Sequence, residues 1–547
     1  MNPTDALRAA VADAARSLVD DAGHGSGALT TAPTLERPKK ADFGDFSSNV
    51  AMLLAPTLGS PPRDVAGRVG DALTQRLGGH LARFEVAGPG FLNLFLSDDW
   101  HVDALRYVLA AGDEFGAGGA AATERIDVEF VSANPTGPLH VGHARNAAYG
   151  DALARVLALA GHDVSREFYV NDYGSQIVRL AESIRARARG EDVPEGGYVG
   201  EYVAELAAEI DGAAEMDLDE LGRRGVEANL AHMRTSLERF RVSFDTWFSE
   251  RSLHTEPVGE DSDAVAHAFA ELDKLGQTYS HDGALWLRTS AHGEDKDRVL
   301  VRSTGEHTYF ASDIAYHQHK RERGFDRLID VWGADHHGYV QRMKAAYEAL
   351  GGDRDALELI IMQFVHLVAR GGERASMSKR AGEFVTLDEL VDEIGVDAAR
   401  WYLLSRSHDT TIDLDLDLAK SESSENPVYY VQYAHARIES VKRKAGRDAV
   451  DAASGPGIDL HPSERELIQK LLAFPAEVLE AAERRAPHRI AAYALELAQA
   501  FSAFYRDCHV IGEPDAVMAF RLAECVAAQQ TIARSLELLG IDAPDEM

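Results

Sequence analysis

Apolar residues recur at three- and four-residue spacing through "MNPTDALRAAVADAARSLVD", which predicts an amphipathic helix at the start of the chain. "ARFEVAGPGFLNLFL" predicts two strands joined at Gly-Pro-Gly. The glycine- and alanine-rich "AAGDEFGAGGAAATE" (110–124) reads as a linker, so residues 1 to about 115 form a first unit. The period then changes. "IDVEFVSA" (126–133) is a strand of the buried type, a long helix runs from residue 140 to Gly161, and "VSREFYV" (164–170) is a second strand. Strand, helix and strand at this spacing predict a parallel crossover. Residues from about 176 to 290 are charged, helical and strand-poor. The pattern resumes with "HTYFASDIAYH", "RLIDVWGADHHG", a helix over about 338–350, and "LELIIMQFVHLV". Two half-folds around an insertion predict one doubly wound parallel sheet with a nucleotide crevice where the halves meet. "TLDELVDEIGVDAARWYLLSRS" (386–407) is helical, and from Asn426 onward the spacing predicts an all-helical bundle. The expected class is α/β plus all-α. An α+β unit (1–115) precedes a Rossmann-type domain (120–375) with a helical insertion (about 176–290), a loop region (376–425) and a helical bundle (426–547).

Composition narrows the function classes. No apolar run approaches the ~20 residues of a membrane span. The first residues lack the basic head and apolar middle of a signal peptide, so a cytoplasmic protein is expected. The two cysteines, Cys508 and Cys525, suit a reducing compartment and leave no Cys-rich zinc site. Acidic residues outnumber basic ones 89 to 56, for a net charge of -33, and only eleven of the basic residues are lysine. A surface so acidic and lysine-poor points to a salt-adapted, haloarchaeal-like source, where carboxylates stay hydrated and ions screen their repulsion, with an ordinary acidic mesophilic protein as the alternative. Taken alone, such charge argues against nucleic acid as a partner.

The chemistry concentrates at "HVGH". A zinc pair at His140 and His143 lacks further ligands at suitable spacing, and an isolated HxxH is most often a core pair. The third reading is phosphate contact. Gly142 lets the backbone approach a ligand, Pro135 and Pro138 stiffen the preceding turn, and the helix offers free N–H groups. Imidazole N–H donors would then stabilise charge developing on an α-phosphate. "ASMSKR" (375–380) supplies a second element, in which Lys379 can act as a point charge on the outer phosphates.

HVGH and MSKR together resemble the paired "HIGH" and "KMSKS" signatures of class I aminoacyl-tRNA synthetases. "VEFVSANPTGPLHVGHARNAAYGD", "YVNDYGSQI", "VWGADHHGYVQRMKAA", "MSKRAGEFVTLDELV", "NPVYYVQYAHARI" and "LLGIDAPDEM" resemble the arginyl-tRNA synthetase family in particular. The resemblance implies activation of L-arginine by ATP with Mg2+, release of pyrophosphate, transfer to arginine tRNA, and an activation step that needs bound tRNA. It implies a monomer with no tightly bound cofactor and no structural zinc. For ATP it implies His140, Gly142, His143, Gly333, Asp335, His336, Met377, Ser378 and Lys379, of which His140, Gly142, His143 and Lys379 are catalytic. For arginine it implies that Tyr309 and Asp313 hold the guanidinium with help from Glu129, and that Asn134 and Gln341 hold the amino-acid end. A guanidinium asks for carboxylates in a planar fork and an aromatic face.

The 37–55 segment and "GPGFLNLFL" resemble the family's extra N-terminal domain, which contacts the tRNA elbow, so Phe46 and Asn49 are expected there. The bundle would bind the anticodon, with Arg437, Lys442, Arg443 and Lys444 in the basic run 433–447. One position departs from the pattern: Ser376 stands where KMSKS has its first lysine, and Arg374 is the nearest substitute. A cysteine-specific relative would want a cysteine-rich zinc pocket, and an aliphatic-specific one a longer editing insertion. A non-catalytic tRNA-binding paralogue would have lost part of HVGH or Lys379. A generic nucleotidyltransferase would lack the helical end domain.

Overall fold

A strand carrying two acidic residues, Arg125–Glu129, occupies the middle of the central sheet and is buried from Ile126 onward. The computed structural model describes residues 2–23, 32–38, 40–368, 385–446 and 459–547. Five parallel strands form the sheet in the order Leu357–Met362, Arg327–Gly333, Arg125–Glu129, Asp163–Val170, Thr246–Ser249. The chain builds outward from Arg125–Glu129 on one side, then returns to add Arg327–Gly333 and Leu357–Met362 on the other. The reversal falls between Arg125–Glu129 and Arg327–Gly333, and a crevice opens at their C-terminal ends.

The strand expected over 126–133 stops at Glu129. Val131 and Ser132 take φ of 67° and 39°, a left-handed conformation that a β-branched residue rarely adopts, and this swings the chain out of the sheet into the NPTGP turn. The helix Val141–Ala160 follows and ends at Gly161 in the αL conformation, as the sequence predicts. It is buried on nearly all sides rather than on one stripe. Gly150 permits this, since a Cβ there would lie 2.1 Å from Cγ of Phe130.

The stretch expected as one strand-poor insertion over 176–290 divides in two, which corrects that boundary. Helices Ser175–Arg189, Glu201–Glu209 and Leu218–Arg239 pack around their own core of Leu180, Ile184, Leu206 and Leu221. Thr246–Ser249 then joins the central sheet as an edge strand beside Asp163–Val170. Its four residues are too few to show a period in sequence. A small antiparallel sheet follows, of Thr278–His281, Ala284–Leu287 and Arg298–Val301. "HTYFASDIAYH" forms the start of the helix Tyr309–Glu322, and "LELIIMQFVHLV" is two strands, the second of which pairs with Ile412–Asp415.

The N-terminal unit is a three-stranded sheet (Phe46–Ser48, Phe91–Leu96, Leu81–Ala87) under the helices Pro3–Asp21, Val50–Leu58 and Pro62–Leu77. Its last helix, Asp98–Ala111, reaches into the stretch read as linker, and the chain just beyond it is not free. Phe115 stacks on Phe474 of the C-terminal bundle with centroids 5.8 Å apart, and Asp98 pairs with Arg465 at 2.6 Å. The bundle comprises Pro427–Ala445, Pro462–Leu472, Phe474–Glu483, His488–Asp507 and Asp515–Leu538. No helix of the described residues is long and apolar enough to cross a membrane. Gly150→Ala should cost about 1–3 kcal/mol through overpacking against Phe130. This is read as a lower urea midpoint at unchanged slope; an unchanged midpoint would show that the ring yields freely.

Candidate active site

His140 is the N-cap of the helix Val141–Ala160, and its Nδ1 accepts the Gly142 N–H at 3.1 Å. Nδ1 of His143 accepts the His140 N–H at 3.3 Å, completing a reciprocal cap. The rings stack with centroids 3.7 Å apart. A ring nitrogen that accepts a hydrogen bond carries no proton, so each neutral imidazole keeps its proton on Nε2. Burial pulls the His140 pKa below its usual value. Burial, followed by the nearby His140, pulls His143 down to about 3. The pair is therefore two neutral N–H donors rather than two cations. The packing explains Gly142 as well: a Cβ there would come within 2.9 Å of the folded-back His140 ring.

Both histidines line a cleft of about 960 Å³, together with Asn134, Tyr169, Asn171, Gly333, Asp335, His336, Phe364 and Val385. Its floor is stitched to the helix mouth, where the Val141 N–H donates to Val385 O at 3.0 Å and the Leu387 N–H to Leu139 O at 2.8 Å. Arg145, one turn into the helix and 1% exposed, donates to the carbonyls of Gln363 (2.7 Å), Ser407 (2.9 Å) and Thr410 (2.8 Å). Arg374, Ser376, Met377, Ser378 and Lys379 lie outside the described residues.

The residues expected for arginine do not all converge. Asp313 accepts the Tyr339 O–H at 2.5 Å. Burial pushes its carboxyl up to about 6, against the Tyr339 hydrogen bond and with added repulsion from Glu250 and Glu129. Glu129 is 5% exposed and accepts from Ser132 Oγ (2.8 Å) and Lys320 Nζ (2.6 Å). Tyr309 begins the helix four residues before Asp313 and is 81% exposed, and like Asp313 it is not among the residues lining the cleft. Gln341 is exposed, and its Oε1 accepts from Arg354 at 2.6 Å. The structure therefore does not place it on the cleft wall. Sequence reading missed Glu250, a buried carboxylate whose charge reaches both Tyr169 and Asp313. Only the strand Thr246–Ser249, itself missed, brings it there.

The surfaces expected for tRNA also change. Phe46 is a core residue, 8% exposed and edge-on to Trp100 at 6.2 Å, so its ring is not available to a ligand. Asn49 is half-buried and accepts the Thr34 N–H at 3.0 Å. The basic run on Pro427–Ala445 is not one stripe, because at ~100° per residue it winds round the helix. Lys442 turns inward to Glu439 (2.7 Å) and Gln529 (3.0 Å), and Arg443 pairs with Glu546. Arg437 lies over the Tyr433 ring at 4.7 Å, Tyr433 stacks on Tyr429, and exposed Lys444 falls seven residues after Arg437 on the same face.

The class I (R) tRNA synthetase catalytic domain matches residues 105–195 and 205–438, the arginyl-tRNA synthetase N-terminal domain 4–96, and the DALR anticodon-binding domain 431–547. The chain belongs to the arginyl-tRNA synthetase family. It is 43% identical to the arginine–tRNA ligase of Oceanobacillus iheyensis over 94% of each chain, and 45% identical to that of Desulforudis audaxviator over 99% of each. The solved arginyl-tRNA synthetase of Thermus thermophilus matches 99% of this chain and 100% of its own with a TM-score of 0.77 at 25% identity. These relatives are bacterial and lend no support to a haloarchaeal source.

The histidine geometry can be tested directly. Ring 15N shifts of His143 should report an unprotonated Nδ1 and a protonated Nε2 throughout pH 5–8. A histidine held near 3 when folded and about 6.5 when unfolded leaves the unfolded state with more bound protons between those values. Stability should therefore fall as the pH drops below about 6.5, and His143→Asn should soften that fall. A His143 titration midpoint near 6.5 would overturn the assignment.

Proposed function

We propose that this chain activates L-arginine with ATP to arginyl-adenylate and pyrophosphate, then transfers the arginyl group to the 3'-terminal adenosine of arginine tRNA. One observation carries the reading: a pair of neutral Nε2–H donors forms one wall of a cleft, and buried carboxylates stand behind its lining residues Ser132 and Tyr169. In the first step a carboxylate oxygen of arginine attacks the α-phosphorus and the bond to pyrophosphate breaks. His140 and His143 donate to the α-phosphate oxygens as charge builds there, at a helix N-terminus that favours anions. Gly333, Asp335 and His336 on the facing wall suit the ribose and adenine. Lys379 would meet the outer phosphates, with Mg2+ entering as part of the ATP substrate and Arg374 the candidate for the missing lysine. In the second step a hydroxyl of the terminal ribose attacks the arginyl carbonyl and AMP leaves.

Asp313 and Glu250 supply the counter-charge for the guanidinium, with Glu129 behind them and Tyr309 as an exposed aromatic face. Asn134 suits the α-amino end, and Gln341 would have to leave Arg354 to join it. For tRNA, the face of Tyr429, Tyr433, Arg437 and Lys444 offers stacking with positive charge. The N-terminal unit would meet the elbow through its exposed surface and Asn49, not through Phe46. Both cysteines are free and buried, in keeping with a reducing cytoplasm, and we take the working form to be a monomer. The acidic surface we read as salt adaptation.

Charging of bulk tRNA with each of twenty labelled amino acids tests the function; labelling by any amino acid other than arginine would refute it. Asp313→Asn keeps the shape and removes the charge, so kcat/KM for arginine should fall by about 3–5 kcal/mol in barrier terms. With the wild-type carboxyl near 6, kcat/KM for arginine should also fall as the pH drops through 6, a limb that the Asn variant lacks. Charging should rise with potassium chloride into the molar range, where the screening length shrinks to ~3 Å. An optimum near ~0.1 M, where that length is still ~10 Å, would end the salt reading and leave the arginine reading intact.

A further inference from the structure

Glu167, Glu129 and Asp330 stand in register across three adjacent parallel strands, so their side chains form one acidic row on one face of the sheet. Asp127 lies two residues from Glu129 on the same face. Glu129 is 5% exposed and the other three are fully buried. Such a row stays ionised only if something covers it with positive charge. The helix Tyr309–Glu322 does so. Lys320, 0% exposed, places its ammonium 2.6 Å from Glu129, 2.9 Å from Asp330 and 3.2 Å from Asp127. Arg323 takes Glu167 in a two-pronged contact, and His317 Nε2 meets Asp330 at 2.8 Å. Asp313, four residues from His317 on the same helix, accepts from Tyr339.

We propose that Lys320 is a positioning residue for amino-acid recognition: it holds Glu129 ionised and fixed behind the cleft, so that the pocket keeps its negative charge for an incoming guanidinium. The inference rests on the arginine reading of that pocket. Ser132 lines the cleft and donates to Glu129, so Glu129 stands one hydrogen bond behind the wall. Burial alone would strip the proton from Lys320, but Asp330, Glu129 and Asp127 hold its pKa well above the usual range. Burial raises Glu129 against the pull of Lys320, and it lifts Asp127 to about 7 even with Lys320 present. Without the ammonium, the facing groups would be Asp127, Glu167, Asp330, Asp313 and Glu250, all acidic, with Tyr169, Tyr316, His317 and Arg323. Burial and these carboxylates would then raise Glu129 further and favour its neutral form, which a cation binds poorly.

The test is equilibrium binding of L-arginine to the full chain by calorimetry from pH 6.5 to 9. Lys320→Met should raise Kd ~100-fold at pH 7. The loss should shrink as the pH rises and Glu129 deprotonates, while Lys320→Arg keeps near-normal affinity and a flat profile. If Lys320→Met does not fold, Lys320→Met with Asp127→Asn removes one buried carboxylate along with the cation and should show the same pH-dependent deficit. Wild-type affinity at every pH, or a pH-independent loss shared by Lys320→Arg, would overturn the proposal. Asp313→Asn keeps the two ideas apart, because normal arginine binding in that variant would refute the pocket itself whatever Lys320 does.

Discussion

The cleft depends on two buried guanidiniums that hold the HVGH helix in place. Arg145 ties its first turns to the carbonyls of Gln363, Ser407 and Thr410. Arg400 reaches it from the other side, pairing with Asp151 on the helix while donating to Phe240 O at 2.9 Å and Leu539 O at 2.6 Å. A planar fork can bind several carbonyls in fixed directions, which a lysine ammonium cannot do as rigidly. Burial lowers the Arg145 pKa only to about 10, so it stays charged at neutral pH. In the proposed role the imidazole pair needs this support, because donors aimed at developing charge are effective only when their direction is fixed.

Much of the architecture was readable from hydrophobic period, and what escaped has identifiable causes. The crossover, the Gly161 stop and the bundle were accessible because each spans many residues or ends on glycine. Thr246–Ser249 was not, and Glu250 was lost with it. Strand Arg125–Glu129 read as apolar overall, yet its acidic pair signals a covered charge layer. Only the register with Glu167 and Asp330 reveals that layer, and register does not exist in one dimension. Phe46 was expected at the tRNA elbow from the resemblance alone and is a core residue. The basic run looked like a stripe because a linear sequence hides how a helix turns.

The scarcity of lysine gives individual lysines weight. The last 122 residues hold 13 basic and 18 acidic residues, and within them Lys442 is committed inward while Lys444 remains exposed. Lys320 is spent entirely on the sheet interior. A protein that covers its exterior with carboxylates still needs compact cations where two or three acids meet without water, and an ammonium can sit among three carboxylates at close range.

Contact order gives the HVGH helix a late completion. Arg155, on its last turns, donates to the carbonyl of Glu537, 382 residues further along, and Arg400 draws Leu539 to the same place. During synthesis the HVGH helix leaves the ribosome long before the segment that packs its far end. Its rigid form must therefore wait for nearly four hundred more residues to be translated. Non-local closure of this kind is slow and leaves intermediates exposed. It also means that a nascent chain interrupted before that segment has its signature motif but lacks the brace that aims it, so unfinished copies would be poor catalysts.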